Sequence, residues 1–94
     1  MSALAEFTPE GLHDFLEEFV RTLPRSTAVL DIGCGSGAWL ARMKRLGFED
    51  LWGLDVDIRA TVAGINYVRA DLDREAPWLE RTFGLITAIE VIEQ

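Results

Sequence analysis

Two apolar rhythms run through the chain. Leu12, Phe15, Leu16, Phe19 and Val20 stand at i, i+3, i+4, i+7 and i+8, the spacing of one helix face, with His13, Asp14, Glu17, Glu18 and Arg21 on the solvated side. Thr8-Pro9-Glu10 starts that helix with a capping hydroxyl, a proline at the first helical position and an acid at the positive end of the dipole. Pro24 ends it. Strands are predicted at Thr27–Ile32, Leu51–Val56, Ile65–Ala70 and Phe83–Ile89. The first and last are apolar almost throughout, as buried parallel strands are. Gly33–Gly37 reads as a loop, and Ala38–Leu46 as a helix that Gly47 stops. Asp57–Gly64 has room for only a turn or two of helix. Asp71–Thr82, with Pro77 and Trp78, reads as irregular at its start, and Glu90 opens a last helix.

Strand, helix, strand in repetition implies parallel pairing through crossovers. Right-handed crossovers then give an α/β fold, a doubly wound Rossmann-like parallel sheet. The expected strand order is 3-2-1-4, with the ligand-binding switch point at the carboxyl ends of strands one and four. The 94 residues make one partial domain, with a leading helix over 8–23 and a βαβ core over 27–94. The sheet is expected to be truncated after strand four, whose uncovered edge is a template for self-association.

Composition narrows the partners. Nine Lys and Arg against sixteen Asp and Glu give a formal charge of −7, which sets nucleic acid aside as the main partner. Arg42, Lys44 and Arg45 cluster on the second predicted helix and read as a solvated face, not a phosphate track. Cys34, the one cysteine, excludes an internal disulfide and a multi-cysteine zinc site, and fits a reducing compartment. No apolar run approaches the roughly 18 residues of a membrane span, and no basic-then-apolar leader opens the chain. The expectation is a cytoplasmic protein with no membrane partner.

The chemistry concentrates in "VLDIGCGSGAWL", Val29 to Leu40. Two ligands compete for a glycine loop between strand and helix. Gly33, Gly35 and Ala38 satisfy the dinucleotide fingerprint G-x-G-x-x-G/A, and Asp55 lies 22 positions past Gly33, where a ribose-binding acid belongs. That reading gives an NAD(P)-binding oxidoreductase domain. Asp31 favours the other ligand. A carboxylate at the loop mouth repels the pyrophosphate of a dinucleotide, which seeks a helix N-terminus. It attracts the ammonium and sulfonium of S-adenosylmethionine. Gly37 points the same way, because G-x-G-x-G makes a wider bend than dinucleotide folds need.

"VLDIGCGSG" resembles the first motif of the class I S-adenosylmethionine-dependent methyltransferases. "GLDVD" (Gly53–Asp57), "RADLD" (Arg69–Asp73) and "FGLITAIEVIEQ" (Phe83–Gln94) are similar to the family's next three motifs, in the family's order. The resemblance implies a cofactor, S-adenosyl-L-methionine, and roles for particular residues. Asp31, with Gly33, Cys34, Gly35 and Gly37, would cradle the methionine part. Asp55 would accept from both ribose hydroxyls, and Val56 would pack on the adenine. Asp71 would accept from the adenine amino group, with Leu72 giving backbone and apolar contact. The leading helix would cover the cofactor. Cys34 near a helix N-terminus invites a nucleophilic reading, but no base stands near it in sequence, and a small residue in a tight loop is the better account. His13 reads as solvated, and Trp39, Trp52 and Trp78 as core or cover and not as substrate platforms.

Glu90, at the carboxyl end of strand four, is the general-base candidate. Glu90, Glu93 and Gln94 share one face of the last helix, where some family branches hold a metal with E-x-x-E-H. Gln94 stands in place of the histidine and cannot replace an imidazole for a transition metal, while two carboxylates could still hold magnesium; the alternative is a plain helix start with acids favoured by the dipole, and no metal is assigned. The expected function is the cofactor-binding half of a methyltransferase acting on an O, N or C nucleophile. The alternatives are the oxidoreductase domain and a non-catalytic fragment that keeps the fold.

Overall fold

Short apolar strands joined by crossovers must stack side by side to bury both faces, and this chain does so. The computed structural model describes residues 9–58, 61–71, 74 and 82–89. Its elements are α1 (Pro9–Val20), β1 (Val29–Ile32), α2 (Ala38–Arg45), β2 (Leu51–Asp55), β3 (Asn66–Arg69) and β4 (Leu85–Thr87). The strands pair in parallel in the order β3-β2-β1-β4, as the alternation of patterns predicts. Each element is shorter than its apolar run, because ends without a ladder partner fray into turns.

Side-chain alternation splits the core in two. Val29 of β1, Leu51 of β2 and Leu85 of β4 face the helices, where they meet Leu12 and Val20 of α1 and Trp39, Leu40 and Met43 of α2. Leu30 and Leu54 face the other way, with Ile32, Trp52, Val68 and Phe83 around them. Trp52 meets Phe83 edge-on at 6.3 Å, and its indole N–H donates to Asp50 Oδ1. Trp39 and Trp52 are thus core and cover, as expected.

The leading helix departs from the sequence reading. His13 was expected in solvent and is 6% exposed, its ring 5.2 Å from that of Trp39. Phe15 and Phe19 were expected inside and are 63% and 55% exposed. Leu12, Leu16 and Val20 set the centre of the buried strip. At about 100° per residue, His13 and Phe19 flank that centre by roughly 60° on opposite sides. The helix rolls towards α2, where the Trp39 indole offers His13 an aromatic partner, and the phenylalanine flank turns outward.

The basic cluster of α2 is also engaged. Arg42 pairs with Asp14 at 2.6 Å and Glu17 at 3.4 Å on α1. The Lys44 ammonium donates to the Ala63 carbonyl in the β2–β3 connection. Arg25 ties the two helix ends together, donating to the carbonyls of Leu23 and Leu46 while its guanidinium lies over the Phe48 ring. Among the described residues no helix is long and apolar enough to cross a membrane.

Candidate functional site

Parallel strands deliver their carboxyl ends to one edge, and there the glycine loop, Asp55–Val56 and Asp71 meet after β1, β2 and β3. The β1–β2 ladder runs on into the loop: Gly33 N–H and Cys34 N–H both donate to the Leu54 carbonyl, at 2.7 and 3.3 Å. The chain then bends through Gly33, Gly35 and Gly37, all at positive φ (71°, 57° and 83°). A β-carbon in that left-handed region costs roughly 1–2 kcal/mol. Gly37 N–H donates to the Cys34 carbonyl, and the Gly37 carbonyl accepts from Ala41 to start α2. The N-terminus of α2 has no side-chain cap and no acid in its first turn. Its peptide N–H groups keep their positive end.

Asp55 organises this edge. Its Oδ2 accepts from Gly35 N–H at 2.8 Å, and its Oδ1 accepts from Val56 N–H at 2.7 Å. One carboxylate therefore fixes both the middle of the glycine loop and the turn after β2. Val56 beside it is 55% exposed. Ala70 N–H donates to the Asp55 carbonyl at 3.0 Å, which brings half-buried Asp71 to the adjoining strand end. The Asp71 carbonyl accepts from Arg74 N–H and turns the chain.

Asp31 is placed differently from the carboxylate at the loop mouth that its sequence position implies. It is the third residue of β1, on the helix-facing side, and it is 0% exposed. The Thr87 hydroxyl of β4 donates to its Oδ1 at 2.7 Å. Its carboxyl lies beneath the edge, in the low-dielectric interior, and not at the loop mouth. Thr87→Val removes that donor and should lower the unfolding free energy by about 1 kcal/mol, with Thr87→Ser close to the parent. Urea midpoints check both.

Register joins Asp31 to a row that crosses the whole sheet: Tyr67 of β3, Gly53 of β2, Asp31 of β1 and Thr87 of β4. All four lie on the helix side, beneath the glycine loop. A β-carbon on Gly53 would stand 2.9 Å from both Cys34 Sγ and Leu40 Cδ1. Cys34 fills that space and is buried, which suits the small-residue account and not a nucleophile. Tyr67 and Thr87 were not singled out from the sequence. Their place depends on strand register, which a single tyrosine in "NYVR" or threonine in "LIT" does not carry. Leu72, Trp78, Glu90, Glu93 and Gln94 lie outside the described residues.

Comparison with known proteins adds the chemistry. The model of a methyltransferase domain family matches residues 4–94. The chain is 36% identical over 73 residues to the ribosomal protein L11 methyltransferase of Cupriavidus pinatubonensis (strain JMP 134 / LMG 1197). That alignment covers 72% of this chain and 25% of the relative, so the chain spans about a quarter of the relative's length. No solved structure matches it. Both matches name methyltransferases, and neither names an oxidoreductase.

Proposed function

Because the chain belongs to the methyltransferase domain family, we propose that the carboxyl edge of its sheet binds S-adenosylmethionine for transfer of a methyl group to an oxygen, nitrogen or carbon nucleophile. The observation that carries this reading is the setting of Asp55. An ionised carboxylate has about four acceptor directions. Gly35 and Val56 use two of them, one on each oxygen. The remaining pair suits two neighbouring ribose hydroxyls. Exposed Val56 beside it offers an apolar surface to a flat base. The uncapped N-terminus of α2 suits a ligand carboxylate. Asp31 and Asp55 together favour a ligand whose other charges are positive, and disfavour a pyrophosphate.

When bound, the cofactor supplies an activated methyl group on a positively charged sulfur. The chain's residues contribute position and electrostatics. Asp55 holds the ribose and the loop at once, so ligand and loop geometry are set by the same group. Asp71 accepts from the adenine amino group, with Leu72 in support, and Glu90 is the group assigned to take the acceptor's proton. Most of the rate advantage in such a site comes from holding two reactants in line. The lone buried thiol fits a reducing cytoplasm.

Thermal unfolding with S-adenosylhomocysteine tests the seat. A ligand that binds only the folded chain stabilises it by about 2.7 kcal/mol at a hundredfold excess over its Kd. The midpoint should rise with the logarithm of concentration and stay flat with NAD. A midpoint that ignores S-adenosylhomocysteine would remove this reading. A methyl-transfer assay over varied nucleophiles, run alongside, separates an enzyme from a binding fragment.

A further inference from the structure

We propose that Tyr67 is a positioning residue for the glycine loop: its phenol clamps the β2–β3 connection against the start of α2 and so sets where Gly37 stands. The proposal rests on the reading of this edge as the cofactor seat. Tyr67 occupies the β3 end of the row beneath the loop, beside Gly53, which has no side chain. Val62 N–H donates to Tyr67 Oη at 2.9 Å, closing the connection onto the strand that follows it. The same oxygen lies against Gly37: a β-carbon there would stand 3.1 Å from Oη. That is closer than a β-carbon ordinarily approaches, so the phenol stands where a side chain on residue 37 would need room.

The connection is held to α2 at a second place. The Lys44 ammonium, in the last turn of the helix, donates to the Ala63 carbonyl and lies over Gly64. Tyr67 therefore works at the first end of α2 and Lys44 at the other, with residues 61–64 strapped along the helix between them. The phenol oxygen accepts from Val62 N–H, so it takes no donor from the loop. Gly37 is the N-cap of α2, and the peptide N–H groups that follow it form one wall of the proposed seat. Moving Gly37 moves that wall relative to Asp55, which is fixed to Gly35 two residues earlier.

The test is Tyr67→Phe in the whole chain, read by amide hydrogen exchange without ligand and by calorimetry with S-adenosylhomocysteine. Loss of one hydrogen bond should speed exchange at Gly35, Gly37 and Val62 by about fivefold, with strand amides such as Leu30 and Leu54 within about twofold. The Kd for S-adenosylhomocysteine should rise by about fivefold. Gly37→Ala gives a second reading. Its added methyl meets Tyr67 Oη, so in the Tyr67→Phe background it should accelerate Gly35 exchange by less than the product of the two single effects. A tyrosine that only fills space on β3 predicts independent effects. Unchanged loop exchange in Tyr67→Phe, or effects that simply multiply, would overturn the proposal. A parent chain that ignores S-adenosylhomocysteine would overturn the cofactor reading instead, and the exchange measurement, made without ligand, would still decide the clamp.

Discussion

Asp55→Ala weakens S-adenosylhomocysteine binding by about 2–3 kcal/mol, roughly 30- to 150-fold in Kd, the scale of lost charge-assisted hydrogen bonds. The effect is large because Asp55 holds two things. Alanine removes the acceptors offered to the ribose and frees the Gly35 N–H that Oδ2 now fixes at 2.8 Å. It also frees Val56 N–H, so the turn carrying the exposed valine loses its anchor. Asp55→Asn separates the parts. An amide oxygen can still accept from one backbone N–H, but the charge and one acceptor atom are gone, and a loss of about tenfold is expected. Calorimetry measures both. Unchanged affinity in Asp55→Ala would remove the residue from the site.

Gly53→Val destabilises the fold by about 3 kcal/mol, the upper end of overpacking costs. Valine suits a strand by propensity, so the loss isolates a steric cause. Its β-carbon would stand 2.9 Å from Cys34 Sγ and 2.9 Å from Leu40 Cδ1. Neither neighbour has room to yield. Cys34 is buried in a loop whose backbone is tied to Leu54, and Leu40 is buried in α2 against the sheet. The strain is therefore passed to the glycine loop, and ligand affinity should fall along with stability. Cys34→Ala in the same chain, by deleting the sulfur, should recover part of the loss. Urea unfolding of the parent, Gly53→Val and the double variant checks this, and a Gly53→Val midpoint equal to the parent's would show that the loop is not packed on Gly53.

Much of the fold was legible in the chain itself. Short apolar runs separated by a helical segment leave few options besides a parallel sheet, and the order β3-β2-β1-β4 is the one expected of a doubly wound sheet with its first strand in the middle. The glycine loop and Asp55 were legible because the residues that make them are neighbours in sequence, or lie at a spacing that one strand–helix–strand unit fixes. The face of α1 was not. Periodicity gives a stripe, but the roll of that stripe depended on His13 finding Trp39, a contact between residues far apart in the chain. Asp31 shows the same limit. Its position beside the loop was clear, but whether it lies above or beneath the edge depends on side-chain alternation and on Thr87 across the β1–β4 pair. Tyr67 was hidden for the strongest version of that reason. Its neighbours Val62 and Gly37 come together only when three elements are in register.

The central claim is that this edge seats S-adenosylmethionine, and direct calorimetric titration of the whole chain tests it best. S-adenosylhomocysteine, which keeps the ribose, adenine and amino-acid groups and is not consumed, should bind at one site per chain, with affinity reduced in Asp55→Ala and no heat from NAD under the same conditions. Saturable binding of NAD, with none of S-adenosylhomocysteine, would contradict the account.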